Sequence, residues 1–385
     1  MRVLVLGATG FIGTRVVDEL VLRHGAEVRA TVRDYRKAVR LGRLPIEWVE
    51  TPATEPSAMR DASRGCDGVV HCAHPFSSPN GSAALDLCRA AVAAAAATTA
   101  RRLVYVSTTA IYGVGARDVS DDTVPRPDTP YGRLKLRCER LLNREHDAGS
   151  IRLVILRPSI VYGPFGPAWT VVPARQLGEG SLVLPRHASG ACNAIYVDDV
   201  ARSVALAMML DTGSRVAVNL AADDRPSWLA FYRAYEERVR PGAIQEWPID
   251  AIREAIAARR RDRRSWRAVQ RALRDRRVRD RLNEIPLLAG LNTLGKSLGW
   301  RGLPANEWLS PRRENDSAEP PALAEHLPDP LRLDLYVRAP HVDGATARRL
   351  LGVTPRDLKS GMAPTQRWLE WAGLAPEAPT EARPA

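Results

Sequence analysis

Val3-Leu4-Val5-Leu6-Gly7-Ala8-Thr9-Gly10-Phe11-Ile12-Gly13 decides how this chain folds. Val3–Leu6 is an apolar run of the kind a strand shows when both its faces are buried. Three glycines follow at the spacing G-x-x-G-x-x-G, and Thr14–Arg23 then carries Val16, Val17, Leu20 and Val21 at helical spacing. Strand, glycine turn and helix in that order build an anion site. Glycines let the backbone turn tightly and approach a pyrophosphate, and the free N–H groups of the helix start hold it. Gly7, Thr9, Gly10, Phe11, Ile12 and Gly13 are therefore the expected dinucleotide contacts. The spacing differs from G-x-G-x-x-G, so the placement of the triplet carries the argument more than the triplet itself.

Outward from this loop, strand-like runs alternate with helical ones. Glu27–Val32, Gly68–Cys72, Leu103–Ser107 and Leu153–Leu156 read as strands, and Ala83–Thr98 and Tyr131–Asn143 as helices. Such alternation implies βαβ units. The expected fold is α/β, a Rossmann-type doubly wound parallel sheet with a smaller, mostly helical C-terminal substrate lobe. The sheet domain spans 1–163, with 194–221 returning to it through the strands Ala194–Val197 and Val216–Leu220 and the helix Asp199–Leu210. Residues 164–385 form the second lobe, with an Arg-rich helical insertion at 250–283, an apolar stretch at Leu287–Trp300 and a Pro- and acid-rich linker at 310–330. Thr346–Leu351 and Met362–Trp371 read as helices, and the tail from Pro376 as frayed.

At 385 residues and 45% hydrophobic, the chain is long enough for two lobes and too apolar for wholesale disorder. Its start reads without a secretory signal. The longest apolar run, Ala90–Ala97, falls far short of the ~20 residues that span a bilayer. Five cysteines without a C-x-x-C pair fit reduced thiols in a cytoplasm and no metal site. The net charge of +12 is local: Arg253–Arg281 holds thirteen arginines against Glu254, Asp262, Asp275 and Asp280. A solvated amphipathic helix packed on the second lobe is the plainer account of that segment. An acidic carrier protein presenting the substrate, or peripheral contact with an anionic membrane, is the sharper one. Charge alone would also suit nucleic acid, but no recognition motif accompanies it and only Trp266 could stack.

The end of the second strand selects the dinucleotide. NAD sites usually place a carboxylate there for the ribose 2′-hydroxyl. Here the strand ends Thr31-Val32-Arg33, with Lys37 nearby, so NADP(H) is favoured over NAD, and Asp34 is expected to face solvent or pair with Arg36.

Tyr131 and Lys135 follow Thr129, an N-cap, and Pro130, suited to the first helical position. At i and i+4 they share one helix face. A phenol donates its proton to a carbonyl under reduction only when its pKa falls from about 10, and a neighbouring ammonium favours phenolate. Only four of 56 basic residues are lysines, and nine residues are tyrosines, so roughly 0.1 such pair is expected by chance. Val104-Tyr105-Val106-Ser107-Thr108-Thr109 runs a strand into hydroxyls at what is expected to be the ligand-binding edge of the sheet.

With these pieces in place the chain resembles the extended short-chain dehydrogenase/reductase (NAD-dependent epimerase/dehydratase-like) family. Gly7–Gly13, Gly65–Ala73, Val104–Gly113, Tyr131/Lys135, Leu156–Pro164 and Tyr196–Ala207 carry the resemblance in order, over Met1 to about Ala222 and again at Ala339–Gly373. It implies Tyr131 as acid/base, Lys135 binding the ribose, Thr108 holding the substrate oxygen, Cys72, Ala73, Pro158 and Ile160 bordering the nicotinamide, and a homodimer. His74, Thr109 and Tyr162 would touch the small-molecule substrate. His71 would support its loop, and Asp198 and Asp199 would cap the following helix. Ile160 stands where sugar-nucleotide enzymes commonly have Asn, and Cys192-Asn193-Ala194 where they commonly have Arg. Thr51-Pro52-Ala53 lacks the aspartate that usually meets the adenine. Arg29–Asp34 and His71–Phe76 look closer to the dihydroflavonol- and cinnamoyl-type reductases, with hydroxysteroid dehydrogenases as next neighbours. The expectation is hydride transfer between nicotinamide and a largely apolar ketone or alcohol. The alternatives are an epimerase or dehydratase of an activated sugar with tightly held NAD, and a non-catalytic cofactor-sensing or nucleic-acid-binding protein on the same fold.

Overall fold

A computed structural model describes residues 1–75, 81–115, 118–211, 215–274 and 324–376. The apolar stretch Leu287–Trp300, the linker up to residue 323, the arginines beyond Arg274 and the tail from residue 377 lie outside the described residues.

Seven parallel strands form the central sheet. In chain order they include β1 (Arg2–Leu6), β2 (Glu27–Val32), β3 (Ile46–Glu50), β4 (Gly68–His71) and β5 (Arg102–Val106). After the short β6 (Asp118–Val119) come β7 (Arg152–Pro158), β8 (Ile160–Tyr162), β9 (Gly180–Pro185), β10 (Ala194–Tyr196) and β11 (Val216–Leu220). The sheet order is β11-β7-β5-β4-β1-β2-β3. Strand order therefore reverses direction at β1, and the crevice beyond the carboxyl ends of β1 and β4 is where such sheets take ligands.

Both faces of the sheet are covered. On one, Val3, Val5, Val70, Val104 and Val154 pack on α1 (Phe11–His24) and on the helix Val197–Met209. On the other, Leu4, Leu6, Leu103, Tyr105 and Ile155 pack on α2 (Pro56–Ala62), α3 (Ser82–Ala96) and α4 (Pro130–Asp147). Alternate residues of one strand thus serve opposite cores, which explains the unbroken Val/Leu runs.

The second lobe has its own core of stacked aromatics. Trp228, Phe231, Tyr232 and Tyr235 line one side of the helix Trp228–Val239, at the i, i+3, i+4, i+7 spacing of a buried stripe. Ser227 caps this helix by accepting from the Ala230 amide at 3.0 Å. A small parallel sheet, β9 flanked by Ile244–Trp247 and Ala324–His326, lies beside it. The Arg-rich segment is helical over Ile249–Arg274, and its first turns dock through Ile252 and Ile256 on Val183 and Leu333.

Two boundaries differ from the sequence expectation. Within 194–221 only β11 joins the large sheet; β10 pairs with β8. Conversely, Ala347, Leu351 and Val353, placed by sequence in the second lobe, pack into the sheet-domain core beside Val204 and Val218. Their apolar side chains cover the outer end of β11, which short-range patterning does not show. No helix among the described residues is long and apolar enough to cross a membrane.

Candidate active site

The glycine loop has the shape a pyrophosphate needs. Gly7 has φ +83°, and a Cβ there would lie 2.6 Å from the Ala73 amide nitrogen. A Cβ on Gly13 would lie 2.0 Å from the Gly7 carbonyl oxygen. Gly10 is the N-cap of α1 and no side chain caps the helix or places an acid in its first turn. Its leading N–H groups are thus left for a ligand anion. Cys72 and Ala73, just past β4, border the loop, as the Gly7–Ala73 approach shows. These residues fit a dinucleotide. Pro158 ends β7 and is buried; Ile160 opens β8.

At the end of β2, Arg33 and Lys37 are exposed. Asp34 is engaged within its own turn. Its carboxylate accepts from the Arg36 amide at 3.1 Å and from Arg36 Nε at 2.9 Å. The Arg36 guanidinium holds it below the usual carboxylate range.

The three catalytic candidates come from two elements that meet backbone to backbone. Thr129 caps α4 by accepting from the Gly132 amide at 3.0 Å, and Pro130 occupies the first turn. Gly132 has no room for a side chain, since a Cβ would lie 2.3 Å from the Ala110 carbonyl oxygen. The first turn of α4 is therefore pressed against the 3₁₀ turn Thr109–Ile111, which Thr108 caps through the Ala110 amide at 3.2 Å. Thr108 is 8% exposed and Lys135 5%, while Tyr131 is 42% exposed at the mouth. Lys135 Nζ donates to the Val106 carbonyl at 2.8 Å and stands 4.8 Å from the centre of the Tyr105 ring. The His74 ring meets Tyr131 edge-on, with centroids 5.2 Å apart. Burial and the Lys135 charge push His74 down to about 4, so it is neutral near pH 7.

Beneath these residues lies a buried polar network that sequence reasoning missed. Ser107 Oγ donates to Glu139 Oε1 at 2.5 Å. Arg157 Nη2 donates to Glu139 Oε2 at 2.8 Å, and Arg157 Nη1 to the Tyr112 hydroxyl at 2.7 Å. Tyr112 in turn donates to Asn219 Oδ1 at 2.9 Å. The ends of β5, β7 and β11 are thereby tied to α4. A signal was available: Glu139 follows Lys135 by four residues, continuing the helix stripe of Tyr131 and Lys135.

Two expectations need correction. Tyr162 is not placed to touch substrate. It is 1% exposed, its ring packs on Tyr196 and Phe231 at 5.7 and 5.6 Å, and its hydroxyl donates to the Leu358 carbonyl. Asp198 and Asp199 do not cap their helix. Asp198 pairs with Arg15 at 2.5 Å and Asp199 accepts from the Arg356 amide at 2.8 Å, so they staple α1 and the C-terminal region to it. His71, the last residue of β4, is buried, with its Nε2 3.8 Å from Cys88 Sγ. His74 and Thr109 are half-buried. Among the described residues no group of three or more His, Cys, Asp or Glu could hold a metal ion.

Comparison with known proteins bears on this arrangement. The NAD dependent epimerase/dehydratase family matches residues 3–221. Cinnamoyl-CoA reductase 1 of Oryza sativa subsp. japonica is 30% identical over 185 residues, which are 42% of this chain and 54% of that protein. An uncharacterized UDP-glucose epimerase, YtcB, of Bacillus subtilis is 30% identical over 190 residues, 43% of this chain and 58% of that one. A putative dihydroflavonol 4-reductase of Synechocystis is 29% identical over 222 residues, 53% and 62% respectively. The chain thus spans about half to three-fifths of the length of these curated relatives. In fold it resembles the UDP-glucuronic acid 4-epimerase of Bacillus cereus solved with NAD, with TM-score 0.62, 17% identity, and coverage of 96% of this chain and 97% of that one.

Proposed function

This chain belongs to the NAD dependent epimerase/dehydratase family, and from that premise we propose that it is an NADP(H)-dependent oxidoreductase acting on the carbonyl or secondary alcohol of a small, largely apolar substrate. The observation that carries the proposal is the close approach of Gly132 to Ala110, which presses the helix turn of Tyr131 and Lys135 onto the turn that Thr108 caps, just past β5. When bound, the nicotinamide gives or takes the hydride. The exposed phenol of Tyr131 transfers the proton to or from the substrate oxygen. Thr108, on a short capped turn, orients that oxygen. Lys135 spends one of its three N–H donors on Val106, which fixes the ammonium and leaves two for the Tyr131 phenol and the ribose. His74, neutral and against Tyr131, and Thr109 border the substrate.

The choice of NADP(H) rests on Arg33 at the end of β2 and on Asp34 being turned to Arg36. A charge-assisted bond from Arg33 to a 2′-phosphate would be the discriminating contact. Titration of the purified, nucleotide-stripped protein with NADPH and NADH tests it. Tighter, exchangeable NADPH supports the reductase. A second reading, an internal-redox epimerase that retains NAD, is favoured by the sugar-epimerase relative. Stoichiometric NAD surviving purification would establish that one instead.

A further inference from the structure

The basic residues near the glycine loop are not equivalent. Arg33 and Lys37 lie on the surface, and Arg36 is committed to Asp34. Arg40, on the 3₁₀ segment Tyr35–Leu41, is half-buried and lies across the loop itself. Its Nη2 donates to Thr14 Oγ1 at 2.9 Å and to the carbonyl oxygens of Thr9 and Gly10, each at 3.4 Å. Among the described residues it makes no ion pair. Burial first, then the nearby Arg15, disfavour its charge and lower its pKa, and the Asp18 carboxylate offsets this only in part. A guanidinium held by neutral oxygens beside a helix N-terminus, with no carboxylate in direct contact among the described residues, is a cation placed where an anion is expected.

The second observation comes from the other lobe. The Arg40 guanidinium carbon lies 4.5 Å from the centroid of the Phe165 ring. Phe165 has φ +68°, a left-handed conformation that costs a residue bearing a Cβ. The turn that carries it is wedged against the glycine loop: a Cβ on Gly166 would lie 3.0 Å from Phe11 Cζ. Trp368 backs the Phe165 ring at 4.8 Å between centroids. A strained backbone held in place by packing on both sides persists where it positions something.

We propose that Arg40 binds a phosphate of the dinucleotide and that the substrate lobe holds it ready through the ring of Phe165. A stacked guanidinium keeps its in-plane N–H donors free for oxygen acceptors, so Phe165 restricts the side chain without consuming its hydrogen bonds. The cofactor site is then completed by a residue of the second lobe that need not touch the cofactor. The inference rests on the reading above only in requiring that a nicotinamide dinucleotide binds.

The test is calorimetric titration of the full-length protein with NADPH and NADH, for wild type and for Arg40→Ala, Arg40→Gln and Phe165→Ala, with circular dichroism to verify folding. Arg40→Gln can keep the Thr14 bond without the charge and serves if Arg40→Ala folds poorly. Both are expected to bind at least ~10-fold more weakly, the scale of a lost charge-assisted bond. Phe165→Ala is expected to fall between them and wild type. A loss confined to NADPH identifies the 2′-phosphate as the partner, and an equal loss for NADH the pyrophosphate; both uphold the proposal. Folded Arg40→Ala and Arg40→Gln proteins with wild-type affinity for both nucleotides overturn it while leaving the functional reading intact. A wild-type protein that binds neither nucleotide brings down the functional reading itself.

Discussion

Lys135 Nζ donates a hydrogen bond of 2.8 Å to the carbonyl oxygen of Val106, the last residue of β5. That bond joins the helix of Tyr131 to the strand that delivers Thr108, so one side chain sets the spacing of the other two. Replacing Lys135 with Met removes the charge and leaves a buried carbonyl without this partner. The unsatisfied acceptor is expected to cost about 1–3 kcal/mol of stability. Turnover is expected to fall at least ~100-fold, with weaker cofactor binding. Denaturant unfolding and nucleotide titration of the same preparation read both effects. Wild-type turnover would remove Lys135 from the mechanism.

Tyr131→Phe separates chemistry from folding. The side chain is 42% exposed and makes no hydrogen bond within the described structure, so stability is expected to change by less than about 0.5 kcal/mol. Cofactor affinity stays near wild type while turnover falls ~100- to 10,000-fold, the range for a lost general acid. Turnover that survived would assign proton transfer elsewhere, with His74 the nearest candidate.

These two sites differ in how they were legible. Tyr131 and Lys135 stand one helical turn apart, and a local pattern reveals a local geometry. The sheet was legible for the same reason, because each strand satisfies its own burial with its own residues. The network of Glu139, Arg157, Ser107, Tyr112 and Asn219 was not, because its members lie on different elements and meet only once β5, β7 and β11 lie side by side. Tyr162 misled because its place beside Gly163 says nothing of Phe231, 69 positions on in the chain, which covers it. The helix Trp228–Val239 was not among the expected elements, although its aromatic spacing marks it.

The Glu139–Arg157 pair gives a stability prediction. The two side chains are 2% and 9% exposed. Truncating one partner strands the other charge, which typically costs about 3–5 kcal/mol. Glu139→Ala is expected to lose that much in urea unfolding, and Glu139→Gln less, since an amide can still accept from Ser107 and Arg157. A loss under about 1 kcal/mol for Glu139→Ala would mean that water reaches this network.

Acid is expected to weaken the fold through His71. Burial first, then the Lys135 and His74 charges, push it down to about 3, against an unfolded value near 6.5. Above pH 6.5 both states are neutral and pH has no effect through this group. Below it the unfolded chain takes up a proton that the native chain refuses. Stability then falls towards pH 3, by at most ~1.4 kcal/mol per pH unit. His71→Gln removes the group. The variant's stability, compared by urea unfolding at pH 7.5 and 5, is expected to fall less than the wild type's. Equal losses would show that other groups dominate this range.

The glycine loop discriminates between two alanine substitutions one helical turn apart. At Gly13 a Cβ would lie 2.0 Å from the Gly7 carbonyl oxygen, a backbone atom that cannot withdraw without opening the loop. At Gly10 the closest atom is the same oxygen at 3.2 Å, a contact that a shift of a few tenths of an ångström relieves. Gly10 also lies in extended backbone, φ −77°, that alanine adopts freely. Gly13→Ala is therefore expected to lose dinucleotide binding and much of its soluble yield. Gly10→Ala is expected to fold, with affinity reduced only severalfold, because its backbone N–H remains in place. If Gly13→Ala bound nucleotide as the wild type does, the pyrophosphate could not be resting on this turn. The site would then have to be sought elsewhere along the carboxyl edge of the sheet.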